Sequence, residues 1–170
     1  MGIRGARVLV VDDDVESLEA LARLLRGRGA QVITVSSPGC ALATVIGVVP
    51  DVMVVDIDMP GQDGIGLVRA IRSLSPEKGG QVPAITLSGC PPMGERLEAW
   101  RDAGFQGHLA KPLDAEALVE LVDRLAGHAV ERRRMALDRR QWPRDVSRDR
   151  RAEVRDEASA TCAVETALQP

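Results

Sequence analysis

With 170 residues, 45% of them apolar, the chain is long enough for one compact domain and a tail and too short for two large domains. Aromatic residues make up only 2%, with no Tyr, one Phe and two Trp, so the core must rest on Val, Leu, Ile and Ala. The stacking platforms of single-strand nucleic-acid binders are therefore missing. Net charge is −3 but uneven: residues 1–128 carry 12 basic and 17 acidic groups, and 129–170 carry 10 and 8, so an acidic body precedes a mildly basic tail.

Short β-branched runs alternate with helical patterns along the body. Strands are predicted at 7–11, 31–35, 52–56, 83–87 and, more weakly, 107–110. After the first strand, Leu18, Leu21, Ala22 and Leu25 share a helical face, and Gly27 with Gly29 supplies a stop. The segment around 38–48 is a poorer helix, with Gly39 near its start and Gly47 near its end. Ile65, Val68 and Ile71 mark the next helix, Met93, Leu97 and Trp100 another, and Leu118, Leu121, Val122 and Leu125 the last. Trp100 on such a stripe reads first as core. Five strands, each followed by a helix, define a βα repeat whose crossovers require a parallel sheet covered on both faces. The continuous apolar character of the first and third strands makes them the central ones.

Beyond Gly127 the composition shifts. Residues 131–157 are dense in Arg, Asp and Glu, and 158–170 are small and weakly polar, so a disordered or partly helical tail is expected. Arg132-Arg133-Arg134, Arg139-Arg140 and Arg150-Arg151 are interleaved with acids, which argues against a nucleic-acid surface. No recognition-helix pattern follows either. Cys40, Cys90 and Cys162 are odd in number and irregularly spaced, which suits a reducing cytosol better than a disulfide framework. No stretch has membrane-spanning length and the N-terminus lacks a signal-peptide pattern, so a cytoplasmic protein without membrane contact is expected.

The chemistry-bearing residues sit at strand ends. Asp12 and Asp13 close Val8-Leu9-Val10-Val11, and Asp56 closes Val52-Met53-Val54-Val55. In an open parallel sheet, ligands bind outside the carboxyl ends of the strands, so these acids converge on one crevice. Like charges at 4 Å repel by roughly 4 kcal/mol per pair at an effective dielectric of 20. A hard cation relieves that conflict, and Mg²⁺ characteristically binds one or two carboxylates together with phosphate oxygens. Asp13 or Asp14 can also cap the following helix, but capping needs one carboxylate rather than three in succession.

Asp56 is followed by Ile57-Asp58-Met59-Pro60-Gly61-Gln62-Asp63-Gly64, an ordinary strand-to-helix turn by composition. Ser88 follows the fourth run, with a hydroxyl suited either to a phosphoryl oxygen or to a turn before Gly89. Lys111 closes the fifth run and is one of two lysines against twenty arginines. A compact, mobile ammonium has been kept where a planar guanidinium fork was otherwise preferred. The following Pro112 allows a cis peptide that aims the lysine inward.

Taken together, Val10-Val11-Asp12-Asp13, Asp56 with Met59-Pro60 and Asp63-Gly64, Ser88, and Lys111-Pro112 resemble the receiver domain of bacterial two-component response regulators over residues 5–127. The resemblance implies a doubly wound α/β fold, flavodoxin-like and CheY-like, with a five-stranded parallel sheet in the order 2-1-3-4-5, and leaves 128–170 as a tail. It implies that Asp56 is the phosphoacceptor, that Asp13 binds Mg²⁺ directly and Asp12 through water, and that the backbone carbonyl of Asp58 completes the protein's ligands. Ser88 and Lys111 would hold the phosphoryl oxygens, and His108 would stand where the family has a rotating aromatic switch residue. The phosphodonor would be a histidine kinase or a histidine phosphotransfer protein. Such a chain is not an enzyme in the usual sense, since it catalyses only its own phosphorylation and dephosphorylation. With no output domain in this chain, output would pass through a separate protein, a homodimer or onward transfer in a phosphorelay, and descent from a hybrid kinase is compatible with the Gly107–Asp114 stretch.

Ser88-Gly89 replaces the commoner Thr-Ala, keeping the hydroxyl, and His108 replaces Tyr or Phe. Asp58 and Cys90 fall two residues beyond the acceptor and the hydroxyl residue, where the family tunes the lifetime of the phosphoryl group; a carboxylate at 58 would either orient or repel the hydrolytic water. Two other readings remain. Asp56-Ile57-Asp58-Met59 imitates the nucleophile loop of haloacid dehalogenase-type phosphatases, although that family places its nucleophile on the first strand and its metal-binding acids late in the chain. The other reading is a receiver-like binding module that is never phosphorylated.

Overall fold

The protein is described by a computed structural model that covers residues 2–59, 63–90 and 94–139, with side chains given for all of these except 128 and 131–139. Five strands, β1 (Arg7–Val11), β2 (Gln31–Val35), β3 (Val52–Asp56), β4 (Ala84–Ser88) and β5 (Gly107–Ala110), form one parallel sheet in the order β2-β1-β3-β4-β5. Between and after them lie α1 (Val15–Gly27), α2 (Pro38–Val48), α3 (Gly64–Arg72), α4 (Glu95–Ala103) and α5 (Ala115–Arg139), with a 3-10 turn at Pro76–Lys78. This is the predicted α/β architecture. The fourth strand starts and ends one residue later than expected, because Pro83 stays outside it and Ser88 belongs to it.

The strand residues are apolar without interruption because both faces of the sheet are covered. Alternation along each strand still sorts them. Val8 and Val10 of β1 with Val52 and Val54 of β3 face α1 and α5, packing on Leu18, Leu21, Leu25, Leu118 and Val122. Leu9, Val11, Met53 and Val55 face the other way, onto Val45 of α2, Leu67, Val68 and Ile71 of α3, and Trp100 of α4. Trp100 is buried, as its stripe suggested. The central strands are sealed, whereas β2 and β5 at the edges are partly exposed.

Helices α1, α2 and α3 are each started by a side-chain cap, whereas α4 begins at Gly94 without one. Asp14 accepts from the Ser17 amide at 3.0 Å, Ser37 from the Cys40 amide at 3.3 Å and Asp63 from the Ile65 amide at 2.9 Å. Of the three consecutive acids, Asp14 is thus the cap, which leaves Asp12 and Asp13 available for other chemistry. Gly64 is required at the start of α3: a Cβ there would lie 2.6 Å from the carbonyl oxygen of Asp56, so only glycine lets the helix pack this close to the end of β3.

Helix α5 runs through Gly127, the expected domain boundary, to Arg139. A glycine costs a helix about 1 kcal/mol relative to alanine, too little to end one that is anchored by Leu118, Leu121 and Val122. Met93, Pro60, Cys162, Arg140 and Arg150-Arg151 lie outside the described residues. Cys90 is a free, exposed thiol. Among the described residues no helix is long and apolar enough to cross a membrane.

The end of the sheet opposite the crevice is clamped by Arg72. Its guanidinium donates to the carbonyls of Gly80 (3.1 Å), Val82 (2.8 Å) and Gly104 (2.7 and 3.2 Å), and to the Gln106 side-chain oxygen at 3.2 Å. Burial pulls its pKa below the usual arginine value, so this charge is held by carbonyl dipoles and not by a carboxylate. Arg72→Ala leaves several carbonyls unsatisfied and is expected to destabilise the fold by about 2–4 kcal/mol in urea unfolding. Arg72→Lys, which lacks the planar fork, should recover less than half of that loss.

Candidate functional site

Because all five strands are parallel, their carboxyl ends share one edge, and the loops there bring Asp12, Asp13, Asp56, Asp58, Ser88 and Lys111 together. Carboxylate oxygens of Asp12, Asp13 and Asp56 lie within 4.8 Å of one another. Asp12 and Asp56 are buried and Asp13 is exposed, so the cluster opens to solvent on one side. The Lys111–Pro112 peptide is cis, and the lysine ammonium stands 2.6 Å from Asp56 Oδ2 and 3.6 Å from Asp12 Oδ2.

Each carboxylate oxygen has a distinct environment. Asp12 Oδ1 accepts from the Asp14 amide at 2.9 Å, and Asp56 Oδ1 accepts from the Asp58 amide at 2.9 Å. Asp56 Oδ2 takes the lysine. Asp12 Oδ2 is buried with no hydrogen-bond partner, since Lys111 at 3.6 Å is close enough to attract but too far to bond. Three carboxylates facing one ammonium retain excess negative charge, and an orphaned buried anionic oxygen points into the cluster. That is a fit for a divalent cation with oxygen ligands, and the cluster is capable of coordinating one.

The protonation equilibria record the same imbalance. Burial raises the Asp12 carboxyl above the ordinary carboxylate range, against the pull of the Asp14 amide and of Lys111. For Lys111, burial works to lower the pKa, but the hydrogen bond to Asp56 and the charges of Asp12 and Asp56 outweigh it and hold the ammonium above its usual value. Asp14 is lowered through its cap to Ser17.

The remaining predicted residues divide. Ser88, buried at the end of β4, does not reach Asp56 in this state; its hydroxyl lies 3.0 Å from Asp58 Oδ2 and 3.0 Å from the Cys90 carbonyl. His108 is exposed on β5, with its ring centroid 6.2 Å from that of Trp100, and Arg96 lies over the other ring at 5.9 Å. In the sheet register His108 is paired with Thr86, two residues before Ser88. The grip of the Asp58 carboxylate on the β4–α4 loop, which includes the Gly89 amide at 2.6 Å, was invisible to sequence reasoning. An acid beside a turn carries no mark of the loop it will touch.

A doubly wound sheet with paired acids after β1, a buried aspartate ending β3, a hydroxyl ending β4 and a lysine after β5 defines the receiver class. The model of the response regulator receiver domain matches residues 8–123, and the chain belongs to that family. It is 38% identical over 135 residues to the transcriptional regulatory protein PrrA of Mycobacterium leprae, covering 79% of this chain and 54% of PrrA. It is 33% identical over 124 residues to the DNA-binding transcriptional regulator NtrC of Salmonella typhimurium, covering 73% of this chain and 25% of NtrC. The chain therefore spans about half the length of PrrA and a quarter of NtrC.

Among solved structures, a putative response regulator from Chloroflexus aurantiacus superposes with a TM-score of 0.65 at 30% identity, covering 73% of this chain and 99% of that one. The receiver domain of the sensor histidine kinase PA1611 from Pseudomonas aeruginosa, solved with a magnesium ion coordinated in its active-site cleft, gives a TM-score of 0.64 at 28% identity, covering 72% and 98%. The phosphatase alternative required its nucleophile on the first strand; Asp56 ends β3, and the family match supersedes that reading.

A group whose folded pKa is raised favours the fold below its unfolded pKa, and that contribution is lost as pH rises through the folded value. Ionised Asp12 therefore costs the metal-free protein stability near neutral pH. Asp12→Asn, which keeps the oxygen that serves the Asp14 amide, is expected to raise the metal-free melting temperature at pH 7 by about 2–6 °C. The gain should shrink as pH is lowered through the folded pKa of Asp12. In differential scanning calorimetry, Mg²⁺ should raise the parent's melting temperature and leave that of Asp12→Asn nearly unchanged.

Proposed function

We propose that the chain is a phosphoacceptor of a two-component system or phosphorelay, taking a phosphoryl group from a phosphohistidine onto Asp56. One observation carries this reading: Asp56 is a buried carboxylate with an ammonium at 2.6 Å on one oxygen and two further acids within 4.8 Å, a combination suited to metal-assisted phosphoryl chemistry. The magnesium in the cleft of the PA1611 receiver supports the same assignment of the acids.

In the proposed reaction, an Asp56 oxygen forms a bond to phosphorus as the bond from phosphorus to the histidine nitrogen breaks, and the imidazole leaves with that electron pair. The transition state is loose and in line, with charge spread over three equatorial oxygens. Lys111 must let go of Asp56 Oδ2 and turn its ammonium to those oxygens, which its short distance and single-point charge allow. Asp13, Asp12, Asp56 and the Asp58 carbonyl would hold Mg²⁺, which when bound supplies the positive charge that offsets the incoming phosphoryl group. The product is a mixed anhydride that water later cleaves, so turnover is confined to the chain's own phosphorylation cycle.

The phosphoryl group brings about −1.5 to −2 charges to the edge of the sheet. Ser88 would be drawn toward it, and His108 would move into the space that Ser88 vacates, repacking the face built by α4, β5 and α5. The Trp100 ring beside His108 would report the change. Residues 5–127 would form the receiver and 128–170 a tail, with α5 continuous across that line. The partners would be a histidine kinase or histidine phosphotransfer protein in the cytoplasm, with output through a separate protein, a homodimer or onward transfer.

Incubation with acetyl phosphate and Mg²⁺ is expected to label one site per chain, as read by intact mass, and Asp56→Asn should abolish the label. Lys111→Ala should slow labelling by about 10²-fold, the usual cost of one lost electrostatic stabiliser. Equal labelling of Asp56→Asn and the parent would overturn the assignment, and so would steady hydrolysis of generic phosphate esters.

A further inference from the structure

The Asp58 side chain stands apart from the proposed metal role of its carbonyl. Asp58 Oδ2 accepts from the Gly89 amide at 2.6 Å and lies 3.0 Å from the Ser88 hydroxyl, whose single proton has the Cys90 carbonyl, also at 3.0 Å, as its other acceptor. Ser88 Oγ in turn accepts from the Cys90 amide at 3.1 Å. One carboxylate oxygen on the β3–α3 loop thus organises the start of the β4–α4 loop, across 30 residues of sequence.

Donor supply makes this arrangement exclusive. A serine hydroxyl and a backbone amide each have one proton to give. While Asp58 holds the Gly89 amide and, in competition with the Cys90 carbonyl, engages the Ser88 hydroxyl, neither donor is available to a phosphoryl group on Asp56, although Ser88 is buried at the end of the neighbouring strand. The backbone amide of Asp58 is bonded to Asp56 Oδ1 at 2.9 Å, so the Asp56 carboxylate is tied to the backbone of the residue whose side chain engages those donors. A dianionic group at residue 56 would repel the side chain at 58 as it competes for the same donors. Asp58 lies at the surface, where water can take it up once displaced.

The geometry points to Asp58 as a carboxylate latch, a positioning residue that occupies in the resting state the two donors that phosphorylated Asp56 would recruit, and so sets how strongly the chain resists switching. This rests on the phosphoacceptor reading above and adds to it a competitor within the chain. Phosphorylation exchanges one anion for another on the same pair of donors, and the β4–α4 loop moves only when the second outcompetes the first. The carboxylate at 58 therefore acts first on the switch, before any effect on the hydrolytic water.

Two measurements on the full chain test it. In the metal-free, phosphate-free protein, the Gly89 amide proton is expected well downfield in ¹H–¹⁵N spectra, as for a short bond to a carboxylate, and Asp58→Ala should move it upfield. The second measurement is the dissociation constant of beryllofluoride, a phosphoryl analogue, at saturating Mg²⁺. Asp58→Ala should tighten it about tenfold, a step equal to about 1.4 kcal/mol, and Asp58→Asn, which keeps a weaker neutral acceptor, should fall between. On a Ser88→Ala background the gain from Asp58→Ala should drop below about threefold, because one of the two donors that residue 58 withholds is then gone and only the Gly89 amide is left. Equal gains on both backgrounds would mean that charge repulsion alone is at work and would overturn the latch, as would an unmoved Gly89 amide or an unchanged dissociation constant. If beryllofluoride bound neither the parent nor any variant, the phosphoacceptor reading itself would fall and the latch would lose its role as a switch, an outcome distinct from normal binding with no effect of residue 58.

Discussion

Excess negative charge at the carboxyl edge of the sheet is the constraint on which the rest of this molecule turns. Asp12 and Asp56 are buried, Asp13 lies within reach of both, and a single ammonium at residue 111 answers them. Burying a charge without a partner is expensive, and one oxygen of Asp12 has no hydrogen bond at all. Burial raises the Asp12 carboxyl, while the neighbouring carboxylates of Asp56 and Asp12 hold the Lys111 ammonium up against its own burial. A site in that condition is poised to accept a cation.

The fold supplies the edge on which this charge is concentrated. Parallel pairing sends the ends of β1, β3, β4 and β5 to one side, and burial of β1, β3 and β4 on both faces fixes their register, so that residues at the strand ends and in the loops just after them converge on one edge. Gly64 lets α3 start against the Asp56 carbonyl, and Asp14 starts α1 directly after the acid pair. Arg72, at the far end, ties the loops that precede β4 and β5. The centre of the scaffold is packed from apolar side chains, while Ser88 and Gly89 at the end of β4 are held by polar contacts to Asp58.

Much of this was legible in the chain because it rests on local rules. Central strands read as unbroken valine runs, helices as stripes such as Leu18, Leu21, Ala22 and Leu25, and the strand-end acids were conspicuous because three carboxylates exceed what a cap requires. Trp100 was placed in the core by its spacing alone. What was not legible depends on contacts distant in sequence. Nothing in Asp12-Asp13-Asp14 says that the third acid is the cap, since all three types cap equally well. The hold of Asp58 on Gly89 arises only when two loops meet. Helix α5 outruns Gly127 because anchoring upstream outweighs one weak residue, and the exposure of His108 follows from its place on an edge strand.

The account stands most directly on whether a divalent ion settles in this cluster. Isothermal titration of Mg²⁺ into the full chain, in the absence of any phosphodonor, should show one saturable site whose affinity falls by about tenfold or more when Asp13 is changed to Asn and rises when Lys111 is changed to Met, since removing the ammonium leaves the carboxylates less well answered. Absence of a saturable site, or an affinity indifferent to both substitutions, would contradict the claim that unbalanced carboxylate charge governs this structure.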